Sequence, residues 1–368
     1  MRKFDKDRLI LGFAGPALAL VVAFLLTSVV LLVSGRDPIE PYQLMINSAE
    51  FTDVQVLIIN QTGTYYLAAL AVAIGFRMNL FNIGVDGQYR LAVMLAAVVG
   101  ASVELPGPLH ILLIVVVAML VGAMWAGIAG VLKTTRGVSE VVSTIMLNAI
   151  ATSLIAWMIL PANLGVQLPG SNDLTTGEIA ESGRFPGLDL EGGSIYGFTF
   201  IAFALGIVYW FVLNRTRFGF DLRATGASES AARASGVDSK KMVLTAMLIS
   251  GAVAGLSGLP LLLGQTHTYS LSFPVGVGFT GITIALLGRN NPVGIFFAAL
   301  LISFLEKTSA DLDQYGYEKE IATIMQGLIV ISVVVSYELV RQYGLRRQQQ
   351  KVGEELAAQA RMKKEVAA

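Results

Sequence analysis

The feature that most limits how this chain can fold is a series of long stretches free of Asp, Glu, Lys and Arg. Seven such stretches lie at 9–33, 56–76, 109–132, 141–160, 194–213, 242–264 and 321–337. Most of them approach or exceed the roughly 20 apolar residues that a helix needs to cross the hydrocarbon core of a bilayer. Three shorter stretches, at 91–103, 273–288 and 292–305, are interrupted or bordered by Gly, Pro and Asn. We therefore predict an all-α integral membrane protein, a polytopic bundle of about ten transmembrane helices with broken or short helices in each half.

Composition supports this class and excludes several others. The 368 residues are 54% hydrophobic and only 14% charged, against roughly 25% charged in soluble domains. A formal net charge of zero excludes a basic nucleic-acid binder at the level of the whole chain, and the absence of Cys excludes disulfides, thiol nucleophiles and Cys-ligated zinc. With two His in the chain, we predict no metal site and no enzymatic activity.

The distribution of Lys and Arg predicts the orientation in the membrane. The first apolar stretch is longer than the core of a secretory signal and lacks a convincing cleavage site, so it is interpreted as a retained helix. With a cytoplasmic N-terminus and ten crossings, 22 of the 26 basic residues lie inside. The four that lie outside are Arg36, Arg184, Lys307 and Lys319. The positive-inside rule then places both termini in the cytoplasm.

The chain divides into a transmembrane domain, residues 1–340, and a cytoplasmic tail, residues 341–368. Within the first, segment 161–193 is rich in Gly, Pro and acidic residues and is predicted to be an irregular extracellular loop. Segment 214–241 is basic, with helix-favouring residues punctuated by Gly, and is predicted to be a short helical hairpin at the cytoplasmic face. The tail mixes charged residues with Ala and Gln, which is typical of a solvated helical end.

Polar residues interrupt the apolar pattern at 77–90, RMNLFNIGVDGQYR. Irregular backbone cannot face lipid, because each unsatisfied N–H or C=O group would cost several kcal/mol. A corresponding interruption runs from Phe273-Pro274 to Asn291-Pro292. Paired interruptions of this kind point to the translocation path of a transporter, although two ordinary cytoplasmic turns would give the same pattern. The candidate path residues in the first interruption are Asn79, Asn82, Asp86 and Gln88.

A third polar group begins the apolar stretch after Arg136. Helical spacing places Glu140, Thr144 and Asn148 on one face, and a polar stripe in a membrane helix normally faces the bundle or a pore. We add these three residues to the candidate path. The alternative is an interfacial Glu140 that stabilises the start of its own helix.

Glycine patterns in the apolar stretches predict close packing. Gly276, Gly278 and Gly281 spell GxGxxG, but they lie in a membrane stretch rather than in a soluble βαβ unit, so dinucleotide binding is not expected. Together with the small-residue pairs at 122–126 and 251–255, they predict helices whose backbones approach closely. No GxxxxGK[ST] phosphate loop occurs, so any ATP-driven work must come from a partner.

Three motifs together resemble a known family. They are FNIGVDGQ at 81–88, GVSEVVSTIMLNAIA at 137–151 and FGFDLRATGASESAARASGV at 218–237. In this order and with this topology, they resemble the permease subunit of bacterial ABC importers for branched-chain amino acids, simple sugars and nucleosides, closest to the nucleoside (basic membrane protein type) branch. The resemblance covers about residues 55–337.

This resemblance implies partners. The 214–241 hairpin is expected to couple the permease to a cytoplasmic ATPase, which binds ATP and Mg²⁺, so that this chain holds no cofactor. The residues that match the family's coupling pattern are Gly219, Arg223, Ala224, Gly226, Glu229, Ala231, Ala232 and Gly236. A second permease subunit forming a heterodimer, an external substrate-binding lipoprotein and a bacterial plasma membrane are also implied. Without the resemblance, the hairpin is simply an amphipathic surface element.

The expected function is translocation of a small polar solute, with a nucleoside preferred. Amide and aromatic groups for a nucleoside are available at Asn79, Asn82, Gln88, Phe81, Tyr65 and Tyr66, but a sugar or a branched-chain amino acid could use the same set. A stand-alone secondary transporter is a second hypothesis and needs a buried carboxylate for ion coupling. Its candidates are Asp86, Glu140 and Glu306. A membrane anchor is disfavoured by the number of crossings.

Overall fold

The computed structural model describes residues 6–167, 170, 172–317 and 323–325, and most residues from 327 to 350 together with 353. The described chain is helical apart from two short β-hairpins, and it separates into two compact units. The first unit is formed by Met1–Ser48 and Thr308–Ala368, and the second by Ala49–Lys307. The predicted all-α membrane class is confirmed at this level.

The first unit joins the N-terminal helices to the segment that follows residue 308. It contains α1 (Lys6–Val33) and α2 (Glu40–Ser48). A 3₁₀ turn, Asp311–Tyr315, receives a hydrogen bond from the Ser48 hydroxyl to the Asp311 carboxylate. The Tyr317 hydroxyl donates to Glu40 Oε2 at 2.6 Å. Polar side chains therefore fasten α2 to this turn.

The second unit carries the remaining labelled helices. They are α3 (Thr52–Phe76), α4 (Val85–Ser102), α5 (Gly107–Arg136), α6 (Glu140–Met158), α7 (Gly197–Arg215), α8 (Arg217–Ala227), α9 (Glu229–Ala234), α10 (Ser239–Leu256), α11 (Leu259–Leu261), α12 (Val277–Leu287) and α13 (Pro292–Ala310). A π-helical turn, Leu262–Thr266, follows α11. Helix α3 is buried along most of its length and forms part of the core of this unit.

Local sequence explains where several helices begin and end. The side chains of Thr216, Ser228 and Asp238 accept a backbone N–H at the starts of α8, α9 and α10, as Ser, Thr and Asp do at helix N-termini. Helix α5 has Pro108 in its first turn and ends at Gly137, whose φ is +69°. Proline at the start and a left-handed glycine after the end are favourable at these positions.

The 161–193 segment is more ordered than the irregular loop expected from its composition. Strands β1 (Val166–Gln167) and β2 (Leu174–Thr175) pair antiparallel, as do β3 (Leu188–Leu190) and β4 (Gly193–Ile195). The buried His110 fastens this segment to the helices, because its Nε2 donates to Gly100 O at 2.8 Å and its Nδ1 accepts from the Ser182 hydroxyl at 2.9 Å.

Within the described residues, seven helices are long and apolar enough to cross a membrane. They are Thr52–Phe76, Gly107–Arg136, Glu140–Met158, Gly197–Arg215, Ser239–Thr266, Pro292–Tyr315 and Thr323–Gly344. Two shorter apolar helices, Val21–Val33 and Val277–Leu287, accompany them. The protein is therefore a multi-pass membrane protein with broken or short helices. The count of ten crossings, the cytoplasmic placement of both termini and the division at residue 340 stay predictions.

The predicted close packing of glycines is confirmed. A Cβ atom added at Gly122 would lie 2.2 Å from Gly251 O, and one added at Gly255 would lie 2.1 Å from Ala118 O. The backbones of α5 and α10 are thus in direct contact. The GxGxxG pattern serves the same purpose in α12, because a Cβ atom at Gly278 would lie 2.3 Å from Asp86 N.

Candidate solute path and coupling surface

The interruption at 77–84 turns the chain back into the protein after α3. Asn79 has a φ of +56°, and the Leu80 N–H donates to Gly75 O at 3.0 Å. Helix α4 then begins at Val85, and all six residues from Val85 to Arg90 are buried. This helix therefore starts inside the bundle rather than at its surface, as the polar interruption predicted.

Paired amides hold the start of α4 in place. Asn82 Nδ2 donates to Gln88 Oε1 at 2.9 Å and to Ser250 Oγ at 2.8 Å, and Gln88 Nε2 donates back to Asn82 Oδ1 at 2.8 Å. Ser250 in turn donates to Ala71 O at 2.7 Å. Asn82 and Gln88 are 1% and 0% exposed, so they position α4 in this conformation. The predicted contact of these two residues with a solute requires their mutual bonds to open.

The polar stripe of α6 faces the same interruption. Glu140 accepts the Phe81 N–H at 3.3 Å and forms an ion pair with Lys133. Asn148 Nδ2 donates to Ile83 O and its Oδ1 accepts the Gly87 N–H, both at 2.9 Å. The predicted orientation toward the bundle is thus confirmed.

Thr144, the remaining residue of the stripe, contacts the 77–84 interruption by packing rather than by a hydrogen bond. Its hydroxyl donates to Glu140 O within α6 at 2.6 Å. A Cβ atom added at Gly84 would lie 3.0 Å from Thr144 Cβ. The contact between α6 and the interruption is therefore close along all three turns.

Asp86 joins the two interruptions. Its Oδ1 accepts the N–H of Gly276 at 2.8 Å and the N–H of Gly278 at 3.3 Å. These donors belong to the start of α12, whose N-cap Gly276 has a φ of +87°. The first N–H groups of a helix have no partner within the helix, and a carboxylate is a favourable acceptor for them. We call Asp86, Gly276 and Gly278 the Asp86 junction.

A second connection closes the far end of α12. Arg289 and Asn290 both have a φ of +55°, so the chain turns sharply after the helix. Arg77 Nη2 donates to Asn290 O at 2.7 Å, and the Tyr209 hydroxyl donates to the same oxygen at 3.0 Å. The two interruptions predicted separately from the sequence therefore form one connected structure.

A cavity lies against the junction, and we call it the outer cavity because its lining includes Tyr196, which follows the predicted extracellular segment 161–193. Its volume is about 150 Å³. It is lined by Leu57, Asn60, Gln61, Thr64, Tyr89, Tyr196, Gly258, Leu261, Gln265, Phe273, Pro274, Val277 and Lys307. Tyr89 also donates its hydroxyl to Pro274 O, so the wall of the cavity and the junction share residues. Polar groups with aromatic walls are the usual lining of a small-molecule site.

The sequence interpretation missed most of this lining. Asn60, Gln61 and Thr64 lie within the 56–76 stretch. The absence of charged residues predicts a membrane helix there but says nothing about its uncharged polar residues. Uncharged polar residues inside a membrane helix are themselves a signal for a functional path. Gln265 and Lys307 carried no local signal, because only the fold brings them to α3.

The aromatic residues proposed for the solute lie elsewhere. The Tyr65 hydroxyl donates to the Glu306 carboxylate. Tyr66 packs against the rings of Phe203 and Phe296, with centroids 5.9 and 6.1 Å away. Neither residue lines the outer cavity, whose aromatic faces come from Tyr89, Tyr196 and Phe273.

The predicted hairpin is formed by α8 and α9. Part of it packs on its own chain: a Cβ atom at Gly219 would lie 2.3 Å from Leu213 O, and one at Gly226 would lie 2.6 Å from Arg77 O. Asn79 Nδ2 donates to Gly226 O at 2.7 Å. Gly226 therefore leaves room for its own chain, and the exposed Asn79 holds the hairpin in this conformation. The predicted roles of Gly226 in coupling and of Asn79 in the solute path stay predictions.

The rest of the hairpin is open to a partner, and we call residues 227–231 and 233–236 the hairpin surface, because all of them are exposed. Glu229 and Arg233 form an exposed ion pair there. Gly236 has a φ of +86° and no neighbour within 4 Å of an added Cβ atom. Ala232 is 3% exposed and fastens α9 to the protein.

The remaining coupling residues lie at the edge of this surface. Ala224 and Arg223 are half-buried in α8. The Arg223 Nη1 atom is buried without a hydrogen-bond partner in the part of the chain that the structure describes. In the same described part, no group of three or more His, Cys, Asp or Glu side chains is placed to hold a metal ion.

Comparison with known proteins places the chain among transport permeases. A family model described as a branched-chain amino acid transport system permease component matches residues 55–334. The guanosine ABC transporter permease of Bacillus subtilis is 34% identical over 337 residues, covering 88% of this chain and 93% of that protein. A nucleoside ABC transporter permease of Lactococcus lactis is 30% identical, with coverage of 88% and 90%. A glucose ABC transporter permease of Haloferax volcanii is also 30% identical, with coverage of 89% and 88%.

The family match spans both interruptions, the α6 stripe, the outer cavity and the hairpin. The relatives are transport proteins rather than enzymes. The chain therefore belongs to the family of branched-chain amino acid transport system permease components and is the membrane permease of an ABC transporter.

Proposed function

We propose that this chain is the permease subunit of an ABC importer that moves nucleosides across the plasma membrane of a bacterium, with both of its termini in the cytoplasm. The observation that carries the proposal is the similarity, over nearly the whole chain, to relatives named for guanosine and for nucleosides. The paired interruptions and the adjoining cavity support a translocation path of the kind that broken helices form in transporters.

The solute path runs through the outer cavity and past the Asp86 junction. The cavity is smaller than the roughly 300–1,000 Å³ of most ligand sites, so helix movement must enlarge it to admit a whole nucleoside. Asn82, Gln88, Glu140, Thr144 and Asn148 fix the start of α4, which forms part of this path. When α4 moves, these polar groups become available to a solute.

Coupling to ATP hydrolysis occurs through the hairpin surface. The contact between Asn79 and Gly226 connects the hairpin to the 77–84 interruption. The amide pair of Asn82 and Gln88 then connects the interruption to α4, and Asp86 connects α4 to α12. A displacement of the hairpin by an ATPase therefore reaches both broken helices and biases two states of the path.

Membership of the family implies an ATPase and a substrate-binding protein in general. We further propose that a second, different permease completes a heterodimer, that the substrate-binding protein is an external lipoprotein, and that ATP and Mg²⁺ bind to the ATPase rather than to this chain.

Two alternatives differ in what they require. The glucose permease relative supports a sugar as the solute nearly as well as the nucleoside relatives support a nucleoside. A stand-alone ion-coupled transporter needs a buried carboxylate that can bind and release the coupling ion. Asp86 is bonded to two glycine N–H groups, Glu140 to Lys133 and Glu306 to Tyr65, which supports ATP-driven transport.

The test is uptake by the complete transporter in proteoliposomes, with its ATPase, second permease and binding protein. We expect ATP-dependent uptake of labelled nucleosides that exceeds uptake of glucose or leucine. Arg233→Glu reverses a charge on the hairpin surface, and such a reversal costs a few kcal/mol at an interface, so ATPase binding should fall by roughly a hundredfold. Arg346→Glu, in the exposed tail, is the matched control.

Two results would contradict this function. Uptake by the purified chain alone, driven by an ion gradient without ATP, would exclude the ABC mechanism. ATP-dependent uptake of glucose without uptake of nucleosides would replace the proposed solute by a sugar.

A further inference from the structure

The hydrogen-bonding groups around the outer cavity are unequally divided between donors and acceptors. The Tyr196 hydroxyl donates to Gln265 Oε1, so the carbonyl of that amide already has a partner. The Gln265 Nε2 group keeps its donors for the cavity, which Gln265 lines. An amide oriented in this way acts toward a solute as a donor.

Lys307 adds a second donor of the same kind. Among the described residues it is the only charged side chain that lines the cavity, and it has no ion pair or hydrogen bond there. An ammonium group carries three donors and no acceptor. The cavity therefore presents a positive charge that no carboxylate of its own lining balances.

Two of the acceptors at the cavity are already occupied. Asn60 Oδ1 accepts the Tyr196 N–H at 2.9 Å, and Asn60 Nδ2 donates to Ser194 O at 2.9 Å. Pro274 O accepts the hydroxyl of Tyr89. The Thr64 hydroxyl and the Gln61 amide, which also line the cavity, each offer a donor and an acceptor, so they leave the surplus of donors on Lys307 and Gln265 in place. A solute that supplies acceptors to these two side chains therefore fits this part of the cavity.

We propose that the outer cavity selects nucleosides by the carbonyl oxygen of the base, with Lys307 and Gln265 as its two donors and with Phe273 and Tyr89 as its aromatic walls. This inference rests on the proposed function and adds to it a solute class, the 6-oxopurine and 4-oxopyrimidine nucleosides. A 6-amino or 4-amino base places its own N–H groups against these donors. A polar group left unpaired in a site shielded from water is costly.

The base, rather than the ribose, carries this selection. Ribose hydroxyls both donate and accept, so they can satisfy a donor-rich or an acceptor-rich wall alike. The ring of a base can also pack on the face of an aromatic side chain, and Phe273 and Tyr89 both line the cavity. Two nucleosides that share their ribose and differ at one exocyclic group therefore isolate the effect.

The experiment compares inosine with adenosine, and uridine with cytidine, in the complete transporter in proteoliposomes. The external binding protein is the same in every sample, so a change in the ratio of uptake rates comes from this chain. We expect the oxo nucleoside of each pair to be preferred. Lys307→Met should lower that preference about tenfold, because a hydrogen bond to a charged donor is lost. Gln265→Glu should lower it as well, since it replaces the donor by an acceptor.

Matched variants separate this role from folding. Lys307→Arg keeps a charged donor and should keep the preference. Gln55→Glu changes an exposed Gln of α3 that does not line the cavity and should leave both ratios unchanged. Copurification of the ATPase establishes that each variant is assembled.

The outcomes are distinct. Equal uptake of oxo and amino nucleosides by the unmodified transporter, or ratios unchanged in both Lys307→Met and Gln265→Glu, overturns this inference and leaves the nucleoside function intact. Uptake of no nucleoside at all overturns the proposed function and this inference with it.

Discussion

The two interruptions in the second unit satisfy their backbone groups in different ways. Around 77–84, side chains provide the bonds: Asn82 and Gln88 bond to each other, and Asn82 and Asn148 bond to backbone groups. At the start of α12, glycine takes the place of such side chains, because Gly278 lets the backbone approach α4 directly and Gly276 adopts a φ of +87°. The second interruption therefore depends on the first, since its acceptor, Asp86, lies in α4. The backbone N–H and C=O groups of an irregular segment inside a membrane protein can thus be paired by side chains close to that segment. Alternatively, they can be paired by an acceptor on a neighbouring helix.

The largest expected effect comes from removing the shared acceptor. Asp86→Leu leaves the N–H groups of Gly276 and Gly278 without a partner, at a cost of about 1–3 kcal/mol for each buried group. We expect a marked loss of thermal stability in detergent and loss of uptake. Asp86→Asn keeps an oxygen acceptor in the same position and should retain most of the stability. If Asp86→Leu unfolds at the temperature of the unmodified protein, the two interruptions are independent.

A smaller effect should follow from a methyl group in the second interruption. Gly278→Ala places a Cβ atom 2.3 Å from Asp86 N, so the backbones of α4 and α12 must separate, and overpacking of this kind typically costs about 1–3 kcal/mol. Gly327→Ala is the control, because that helical glycine has open space around it and Ala favours a helix by about 0.5–1 kcal/mol. The unfolding temperatures should move in opposite directions. A Gly278→Ala protein as stable as Gly327→Ala would show that the close approach is dispensable.

The smallest expected effect tests a carboxylate that also accepts a backbone N–H at the start of a helix, but one that is exposed to water. Asp238 caps α10 by accepting the Lys241 N–H at 3.1 Å, and this bond lowers the pKa of Asp238 from its ordinary value of 3.8. A carboxyl with a lowered pKa stabilises the folded state above the pKa of the unfolded chain, and that stability is lost as the pH falls through the lower, folded pKa. The difference in unfolding temperature between the unmodified protein and Asp238→Asn should therefore favour the former at neutral pH, decline as the pH falls below 3.8 and vanish below the folded pKa. A difference that persists in acid would assign the stabilisation to something other than charge.

Local sequence predicted those parts of the site that a single segment defines. The polar interruption before α4, the Gly and Pro residues around α12 and the spacing of Glu140, Thr144 and Asn148 all follow from periodicity and from the cost of unpaired groups in a membrane. The hairpin helices were also predicted, because their Ala-rich sequence favours helix and Gly limits it.

The unpredicted parts arise from contacts between distant segments. Asp86 and Gly276 are 190 positions apart, and no local pattern states that one accepts a bond from the other. The same is true of Lys307 and Gln265, which meet α3 only in the folded protein. The polar neighbours of Asn79 place it on the predicted path, but no local pattern states that its side chain bonds to the hairpin.

The crossing of α5 and α10 limits how this permease can move. Where Gly122 meets Gly251 and Ala118 meets Gly255, there is no layer of side chains between the helices. Shear between packed helices relies on such a layer, whose side chains change conformers as the helices slide. Helices in backbone contact instead turn together about their crossing point. A movement that opens a passage must therefore bend the chain away from this crossing, and at 77–84 and 267–276 the backbone is free of the regular bonds of a helix.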